Sequence, residues 1–346
     1  MKTGGTFMRS LFDKTCIKTM ELKNRFVRSA TWEGMATKEG HITERLLNLY
    51  EELAKGGVGL IITSYATIFD YDKPSLNILG IYDDSFIEEY KILTDRIHKY
   101  NAKVLMQIVL GENYINKKTG SEFYGLSENM PEDDIKAIVK AFVDAAKRAK
   151  KSGFDGIQIH GAHGYFLSRT LSPLFNKRTD KYGGSEEKRG TLILEVYDEI
   201  RKAVGEDFHI SIKINCSDFD EVGATFKECK FVCKKLSEKG IDSIEISGGQ
   251  NIWKEKNKTE SIYKEYASKI AEEIDTPVIL VGVNRSYNNM NDILNNSKIE
   301  YFSMSRPFIR EPDLINKFEK GESERAKCIS CGRCQGEHGI RCIFNM

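Results

Sequence analysis

Long apolar runs are missing from this sequence. No run of about 18 consecutive apolar residues occurs, which is the length that a membrane-spanning helix needs. The first ten residues also lack the apolar core of a secretory signal peptide. Strong charge of either sign is missing too, because 52 basic residues are balanced by 51 acidic ones and the net charge is +1. We therefore expect a cytoplasmic protein that binds neither nucleic acid nor a membrane surface.

Cysteine is sparse, with eight residues in a chain of 346, well below the density of a small disulfide-stabilised protein. Low-complexity tracts and short sequence repeats are absent as well. The order of elements repeats instead, because short β-rich runs alternate with longer amphipathic segments. Eight such runs are rich in Ile and Val and are bounded by Gly, Pro, Asn or Asp, as buried parallel strands are. They lie at Phe26–Ala30, Val58–Thr63, Val104–Val109, Phe154–Ile159, Ile210–Ile214, Ser243–Ile246, Val278–Val281 and Tyr301–Met304.

The segments between these runs carry apolar residues at three- and four-residue spacing, which predicts helices. These helices lie at Thr43–Lys55, Asp84–Tyr100, Asp133–Lys151, Glu186–Val204, Phe226–Lys239 and Ser261–Ile274. Strands that alternate with helices form right-handed units and a parallel sheet, and eight repeats predict a closed (β/α)8 TIM barrel. We assign residues 1–320 to this single α/β barrel and residues 321–346 to a short cysteine-containing tail.

A doubly wound sheet is the competing fold, and the pattern of glycines argues against it. A dinucleotide-binding G-x-G-x-x-G should follow the first strand, and the sequence at Ala30–Gly34 does not match it. The Gly-Gly-Val-Gly sequence at Gly56–Gly59 precedes a strand instead of following one. We expect it to end a helix rather than to bind phosphate.

The end of the fourth predicted strand is the strongest candidate for a chemical site, because barrel enzymes carry their chemistry at the carboxyl ends of the strands. His160, His163 and Tyr165 lie there within six residues. Imidazole N–H groups can hold a carbonyl or phenolate oxygen, and a tyrosine hydroxyl can deliver a proton. Two alternatives stay open. Histidines at this spacing could bind a metal ion, or they could be two buried rings that form hydrogen bonds with backbone groups.

The ends of strands seven and eight carry a candidate phosphate site. Barrels often bind phosphate with the loops that follow these two strands. Gly282 permits close approach of a ligand to the backbone, and Arg306 adds a fixed charge with a planar set of donors. The alternative is a left-handed turn at Gly282 and a surface ion pair at Arg306.

A long signature begins at the fourth strand end. It reads His-Gly-Ala-His-Gly-Tyr-Phe-Leu over 160–167 and continues with Leu171-Ser172-Pro173, Asn176, Arg178-Thr179-Asp180, Tyr182-Gly183-Gly184-Ser185, Glu187 and Arg189. This pattern resembles the signature of the Old Yellow Enzyme family of FMN-dependent NADH:flavin oxidoreductases, which fold as (β/α)8 barrels. Further matches lie at Leu22–Arg25, Gln107 and Ser305–Pro307, so the resemblance covers about residues 9 to 320.

Within this family, the sequence resembles the bacterial branch that includes 2,4-dienoyl-CoA reductase and trimethylamine dehydrogenase. Those relatives continue into an FAD- and NAD(P)H-binding domain, which we expect this chain to lack.

The resemblance implies a set of FMN-binding residues. Those at the reactive edge of the flavin are Ala30, Thr31 and Tyr65. Gln107 matches the contact to the pyrimidine end, and Lys213 stands near N1 and C2=O where the family commonly has arginine. Those that match the phosphate-binding loops are Gly282, Asn284, Ser305 and Arg306. His160 and His163 match the pair that binds the substrate oxygen, and Tyr165 matches the proton donor.

The resemblance also implies a reaction. NADH or NADPH reduces FMN, and a small α,β-unsaturated carbonyl compound then receives a hydride from flavin N5 at its β-carbon and a proton from Tyr165 at its α-carbon. An ene-reductase of this kind is the predicted function. The alternatives are an FMN-dependent amine dehydrogenase or demethylase, and an electron-transfer subunit that needs a partner reductase. A homo-oligomer also stays open, because Arg341 could reach a neighbouring active site.

The tail carries the densest group of cysteines, at Cys328, Cys331, Cys334 and Cys342. In a reducing compartment, thiolates at this spacing could bind an iron–sulfur cluster or zinc. Relatives carry a 4Fe-4S cluster in this region, although with a third spacing one residue longer and a more distant last cysteine. The remaining possibility is that the four thiols bind no metal.

Overall fold

The structure, a computed structural model, describes residues 8–249, 259–336 and 338–345. These residues form thirteen strands: β1 (Thr15–Ile17), β2 (Met20–Leu22), β3 (Phe26–Arg28), β4 (Leu60–Thr67), β5 (Leu79–Gly80), β6 (Lys103–Val109), β7 (Asn113–Ile115), β8 (Glu122–Tyr124), β9 (Gly156–Gly161), β10 (His209–Asn215), β11 (Ser243–Ser247), β12 (Val278–Leu280) and β13 (Tyr301–Met304).

A closed parallel barrel forms from eight of these strands. Its order is β3, β4, β6, β9, β10, β11, β12 and β13, and the pairing of β13 with β3 closes the ring. The registers are parallel throughout; for example, Lys213 of β10 lies opposite His160 of β9 and Glu245 of β11. The (β/α)8 TIM barrel that the sequence predicts is therefore confirmed, and every predicted strand overlaps one of the eight.

The helices surround the barrel. They are α1 (Glu44–Lys55), α2 (Ile87–His98), α3 (Glu132–Lys151), α4 (Phe166–Leu171), α5 (Glu186–Val204), α6 (Phe226–Glu238), α7 (Lys264–Glu273), α8 (Tyr287–Asn296), α9 (Arg306–Arg310) and α10 (Leu314–Glu319). Helices form in all six predicted segments. The segment predicted from Asp84 begins with a 3-10 turn, because Asp83 caps that turn through the Ser85 N–H before α2 starts.

Helix ends follow local capping chemistry. The Thr43 hydroxyl caps the start of α1, and Gly56 ends that helix by donating its N–H to Glu52, 2.8 Å away. A side chain at Gly56 would collide with the carbonyl of Pro312. The glycine run at Gly56–Gly59 is thus a helix end, as the sequence predicts. At α6, Thr225 and Glu228 form a reciprocal capping box.

The amino-terminal end of the barrel is closed by a hairpin that the sequence does not predict. Strands β1 and β2 pair antiparallel, and their apolar side chains pack against residues inside the barrel wall. Ile17, Met20 and Leu22 contact a cluster that includes Val27 and Leu60. This end of the barrel interior is therefore filled with apolar side chains, which leaves the carboxyl end of the strands for the site.

The tail packs back onto the barrel rim. The N–H of Ala326 donates to the Arg285 carbonyl at 2.9 Å, and the N–H of Ile340 donates to the Glu33 carbonyl at 2.8 Å. The boundary at residue 320 stays a prediction. Among the described residues, no helix has the length and apolar character to cross a membrane.

Candidate active site

A cavity of about 880 Å³ opens at the carboxyl end of the barrel strands. This volume lies within the range of small-molecule and cofactor sites. All twelve flavin-site and catalytic residues expected from the sequence line it: Ala30, Thr31, Tyr65, Gln107, His160, His163, Tyr165, Lys213, Gly282, Asn284, Ser305 and Arg306. The fold therefore brings together groups that lie up to 276 residues apart in the chain.

The turn from β9 into α4 aims three polar side chains into the cavity. His163 has a φ of 61° and Gly164 a φ of 77°. These two successive left-handed residues turn the chain before Tyr165, the residue that precedes α4. The ring centroids of His160 lie 5.2 Å from His163 and 5.1 Å from Tyr165. The three rings thus form one compact group on the cavity wall.

Both imidazoles are held in the neutral form. Burial, followed by the positive charge of Lys213, lowers the pKa of His163 to about 3. Burial also lowers the pKa of His160 well below its usual value, with His163 and Lys213 adding to the effect. The Nε2 of His163 lies 2.9 Å from the Ser247 hydroxyl, and its backbone N–H donates to the Asn215 side chain. Sequence reasoning did not identify Ser247, since a serine at a strand end carries no distinctive signal.

Tyr165 keeps its proton at neutral pH. Burial raises the pKa of its phenol. Its hydroxyl lies 3.4 Å from that of Tyr65, and the Tyr65 hydroxyl donates to Ser75 at 2.7 Å. This chain of hydroxyls runs from Tyr165 to the β4–β5 loop. A proton lost from Tyr165 can be replaced along it.

The floor of the cavity is a buried polar network. Lys213 donates to the Ser29 hydroxyl at 2.7 Å and lies 3.3 Å from the carboxylate of Glu245. Gln107 donates to Gln158 at 2.7 Å. Sequence reasoning missed Glu245 and Gln158, because each lies inside an apolar run that reads simply as a strand. A glutamate between two isoleucines at Ile244–Ile246 was the available signal.

The far end of the cavity is formed by the loops after β12 and β13. Gly282 has a φ of +113°, and Val283, a β-branched residue, has a φ of 60°. Such strain is tolerated where a loop is tightly constrained, often at binding sites. A Cβ at Gly282 would lie 2.7 Å from the ring of Tyr263. The Tyr263 hydroxyl is buried and has no hydrogen-bond partner among the described residues, so it can receive one from a ligand.

Asn284 has a more structural role than the sequence suggests. Its side-chain amide donates to the carbonyls of Leu280 and Ser303, at 2.8 and 3.0 Å, and its oxygen accepts from Ser261. The side chain therefore ties the ends of β12 and β13 together. It lines the cavity as expected, but its polar atoms serve to hold the loops.

The end of β3 presents a second hydroxyl pair to the cavity. Thr31 and Ser305 lie 2.7 Å apart through their Oγ atoms. The buried Arg28 contacts Thr31 and pairs with Glu33 at 3.1 Å. Trp32 also lines the cavity, and its indole N–H donates to the Leu76 carbonyl at 2.9 Å. The indole is thereby held at the rim.

One of the tail cysteines, Cys334, lines the same cavity. Burial raises the pKa of its thiol, and the other three cysteines of the tail add to this rise. Within the described parts of the chain, however, no three His, Cys, Asp or Glu side chains lie close enough to hold a metal ion. The four thiols are near one another but are not assembled as ligands.

The sequence assigns this barrel and its cavity to a known class of enzymes, the flavin oxidoreductases. Residues 10–325 match the NADH:flavin oxidoreductase / NADH oxidase family, so the chain belongs to that family. The chain is 33% identical over 371 residues to an NADH oxidase from Thermoanaerobacter brockii, covering 98% of this chain and 56% of the relative. It is 28% identical over 380 residues to a cinnamate reductase from Clostridium sporogenes, covering 97% and 57%.

Among solved structures, a 2-naphthoyl-CoA reductase complex superposes with a TM-score of 0.84 at 24% identity, covering 92% of this chain and 53% of the other. This likeness supports the barrel fold. The chain spans just over half the length of these two curated relatives, 56% and 57%.

The cavity suits the FMN that the family implies. Two buried polar atoms on its wall, Nδ1 of His160 and the hydroxyl of Tyr263, have no partner among the described residues. Lys213 supplies a buried positive charge at the floor. A flavin ring, which carries polar atoms and takes up negative charge when it is reduced, fits these features.

Proposed function

We propose that this chain is an FMN-dependent, NAD(P)H-driven reductase of the activated C=C bond in α,β-unsaturated carbonyl compounds. The observation that carries the proposal is the grouping of His160, His163 and Tyr165 on one cavity wall. Burial lowers the pKa of the His163 imidazole and raises that of the Tyr165 phenol, which favours the neutral form of both. Bound FMN would supply the hydride, after accepting it from the nicotinamide. The names NADH oxidase and cinnamate reductase among its relatives support both the reductant and the type of substrate.

The histidines would bind the substrate oxygen. Because both rings stay neutral, each can offer one N–H as a hydrogen-bond donor. Donors placed where negative charge develops stabilise the transition state, and the effect is larger in a site that excludes water. The hydrogen bond to Ser247 orients the His163 ring.

Tyr165 would deliver the proton. Its buried phenol is protonated at neutral pH, and Tyr65 and Ser75 connect it to the cavity rim. The negative charge left after transfer is short-lived, since the hydroxyl chain returns a proton. Reduction of the C=C bond is then balanced by one hydride and one proton.

A turnover screen tests the proposal against its main alternative. The FMN-loaded chain is supplied with NADH or NADPH and a set of cyclic and aryl enones, and separately with primary and tertiary amines and an electron acceptor. We expect saturated carbonyl products from the enones. Oxidation of amines without reduction of any enone would instead identify an amine dehydrogenase. Enone reduction that requires an added reductase would identify a subunit of a larger system.

A 4Fe-4S cluster on Cys328, Cys331, Cys334 and Cys342 is a separate proposal. It is supported by Cys334, whose pKa is raised by burial and further by the charges of the other three tail cysteines, while the described residues do not form a ligand set. Anaerobic purification followed by iron and sulfide assays tests it. We expect four irons and four sulfides per chain if the thiols close around a cluster. Zinc alone, or no metal, would contradict it.

A further inference from the structure

Glu245 is a buried carboxylate that takes no part in the proposed hydride and proton transfer. It lies in the middle of β11, with 0% of its surface exposed, at the centre of the barrel. A buried charge is costly unless it is paired and hydrogen-bonded. The environment of Glu245 meets this requirement.

Four donors surround its two oxygens. Oε1 accepts from the hydroxyls of Ser29 and Ser303, at 2.7 and 2.6 Å, and lies 3.3 Å from the Lys213 ammonium. Oε2 accepts from Gln158 at 2.9 Å. Burial would raise the pKa of Glu245, but the charge of Lys213 and these hydrogen bonds outweigh it and bring the pKa below its usual value. The group is therefore ionised.

Two hydrogen-bonded chains lead from this carboxylate to the cavity floor. One runs through Ser29, whose hydroxyl accepts from Lys213 at 2.7 Å. The other runs through Gln158, whose carbonyl accepts from the Gln107 amide at 2.7 Å. Lys213 and Gln107 both line the cavity, whereas Glu245 lies below them.

The second chain has a fixed direction. A carboxylate can only accept hydrogen bonds, so Gln158 must turn its NH2 group toward Glu245. The carbonyl oxygen of Gln158 then faces Gln107, which must donate an N–H to it. The amide orientation of Gln107, and with it the pattern of donors and acceptors shown to a ligand, follows from the charge state of Glu245.

We propose that Glu245 is a positioning residue for the flavin: it fixes the amide of Gln107 and offsets the charge of Lys213, and so lowers the reduction potential of FMN bound above them. The proposal rests on FMN binding as in the proposed function. Reduced FMN carries negative charge, so an uncompensated Lys213 would favour the reduced form. A carboxylate 3.3 Å from the ammonium weakens that preference.

Spectroelectrochemical titration of the FMN-loaded chain tests this directly. In Glu245→Gln we expect the FMN midpoint potential to rise by about 30 mV or more, which corresponds to a tenfold gain in preference for reduced over oxidised FMN. Lys213→Gln should shift the potential in the opposite direction. The double variant, Glu245→Gln with Lys213→Gln, should lie close to the wild type. It also keeps the test available if Glu245→Gln alone does not fold, because it leaves no unpaired buried charge.

A matched control is Glu228→Gln. Glu228 is also a buried glutamate with a positively charged partner, Arg189 at 2.5 Å, but it lies in α6 outside the cavity. The FMN midpoint potential of Glu228→Gln should equal that of the wild type. The proposal would be overturned if the FMN midpoint potential of Glu245→Gln equals that of the wild type. It would also be overturned if the double variant has the same midpoint potential as Lys213→Gln alone. If the wild type binds no FMN, the proposed function fails with it; bound FMN and enone turnover with unshifted potentials would defeat only the role of Glu245.

Discussion

Burial acts in opposite directions on His163 and Tyr165 but keeps both side chains uncharged. It lowers the pKa of the imidazole to about 3 and raises that of the phenol. At neutral pH the imidazole is therefore a donor without a charge, and the phenol holds a proton that it can give. These two states are what carbonyl binding and proton delivery require.

Removal of the Tyr165 hydroxyl should separate the two half-reactions. We expect Tyr165→Phe to slow reoxidation of the flavin by an enone by about 10²- to 10⁴-fold, which is the usual contribution of a positioned acid. Flavin reduction by NADH should keep its rate, because no proton from Tyr165 is needed. Stopped-flow absorbance measures both steps. Tyr124→Phe, at an exposed position, is the control and should leave both rates unchanged. Equal slowing of both half-reactions in Tyr165→Phe would contradict the role of Tyr165 as the proton donor.

The site residues that could be predicted are those that follow a strand end in a recognisable pattern. His160 and His163 belong to this group, because turn residues and a long signature mark their position. Glu245 and Gln158 do not, since a side chain inside a short strand can point into the barrel or toward a helix. The direction in which such a side chain points depends on how the eight strands pair to close the barrel, and no local sequence pattern predicts it.

At the level of elements, the turn between β12 and α8 is tightly constrained. Gly282 and Val283 both have positive φ, and Tyr263 packs closely against Gly282. This backbone forms the end of the cavity where we propose that the FMN phosphate binds.

A methyl group at Gly282 should weaken FMN binding. It would lie 2.7 Å from the Tyr263 ring, at a φ of +113° that alanine rarely adopts. We expect Gly282→Ala to lose at least tenfold in FMN affinity, measured by quenching of FMN fluorescence on the apoprotein. Gly205→Ala is a matched control, because Gly205 also has positive φ, at 77°, but its added Cβ would meet nothing within 4 Å. That variant should lose about 1–3 kcal/mol of stability through backbone strain and keep its FMN affinity. An equal loss of FMN affinity in both variants would contradict the crowding argument.

Among the elements, the eight barrel strands and six of the seven helices with ten or more residues could be predicted, whereas α8 and the shorter pieces were not. Strands such as Tyr301–Met304 are apolar runs with clear boundaries. Strands β1 and β2 have three residues each, α4 has six and α9 has five, too few to show a period. Their structure is decided by what they pack against.

On the scale of the whole molecule, the barrel separates stability from chemistry. Apolar side chains of the β1–β2 hairpin fill the amino end, and the polar cavity occupies the carboxyl end. His209, at the start of β10, belongs to the first region, where its Nε2 lies 2.9 Å from the Ser243 hydroxyl. It can therefore be changed without touching the cavity.

Buried histidines should make the fold less stable in acid. Burial lowers the pKa of His209 from its usual value of 6.5 to about 4. Between these pH values His209 binds a proton in the unfolded chain but not in the folded chain. The free energy of unfolding therefore falls as the pH falls from 6.5 to 4. The loss from this residue is on the order of 3 kcal/mol.

Replacement of His209 should reduce this pH dependence. We expect the unfolding free energy of His209→Gln, from urea titrations at several pH values, to fall less steeply over the same window than that of the wild type. His338→Gln, at an exposed position, should keep the wild-type slope. If the unfolding free energy of His209→Gln depends on pH as steeply as that of the wild type, proton uptake by His209 does not contribute to the loss of stability in acid.

In the proposed reaction a hydride passes from NAD(P)H through FMN to an activated C=C bond. Visible absorption of the anaerobic, FMN-loaded chain measures both transfers in one cuvette. We expect NADH or NADPH to bleach the yellow flavin band, and one equivalent of cyclohexenone then to restore it with formation of cyclohexanone. A flavin that NAD(P)H does not bleach, or that stays bleached after the enone is added, would contradict it.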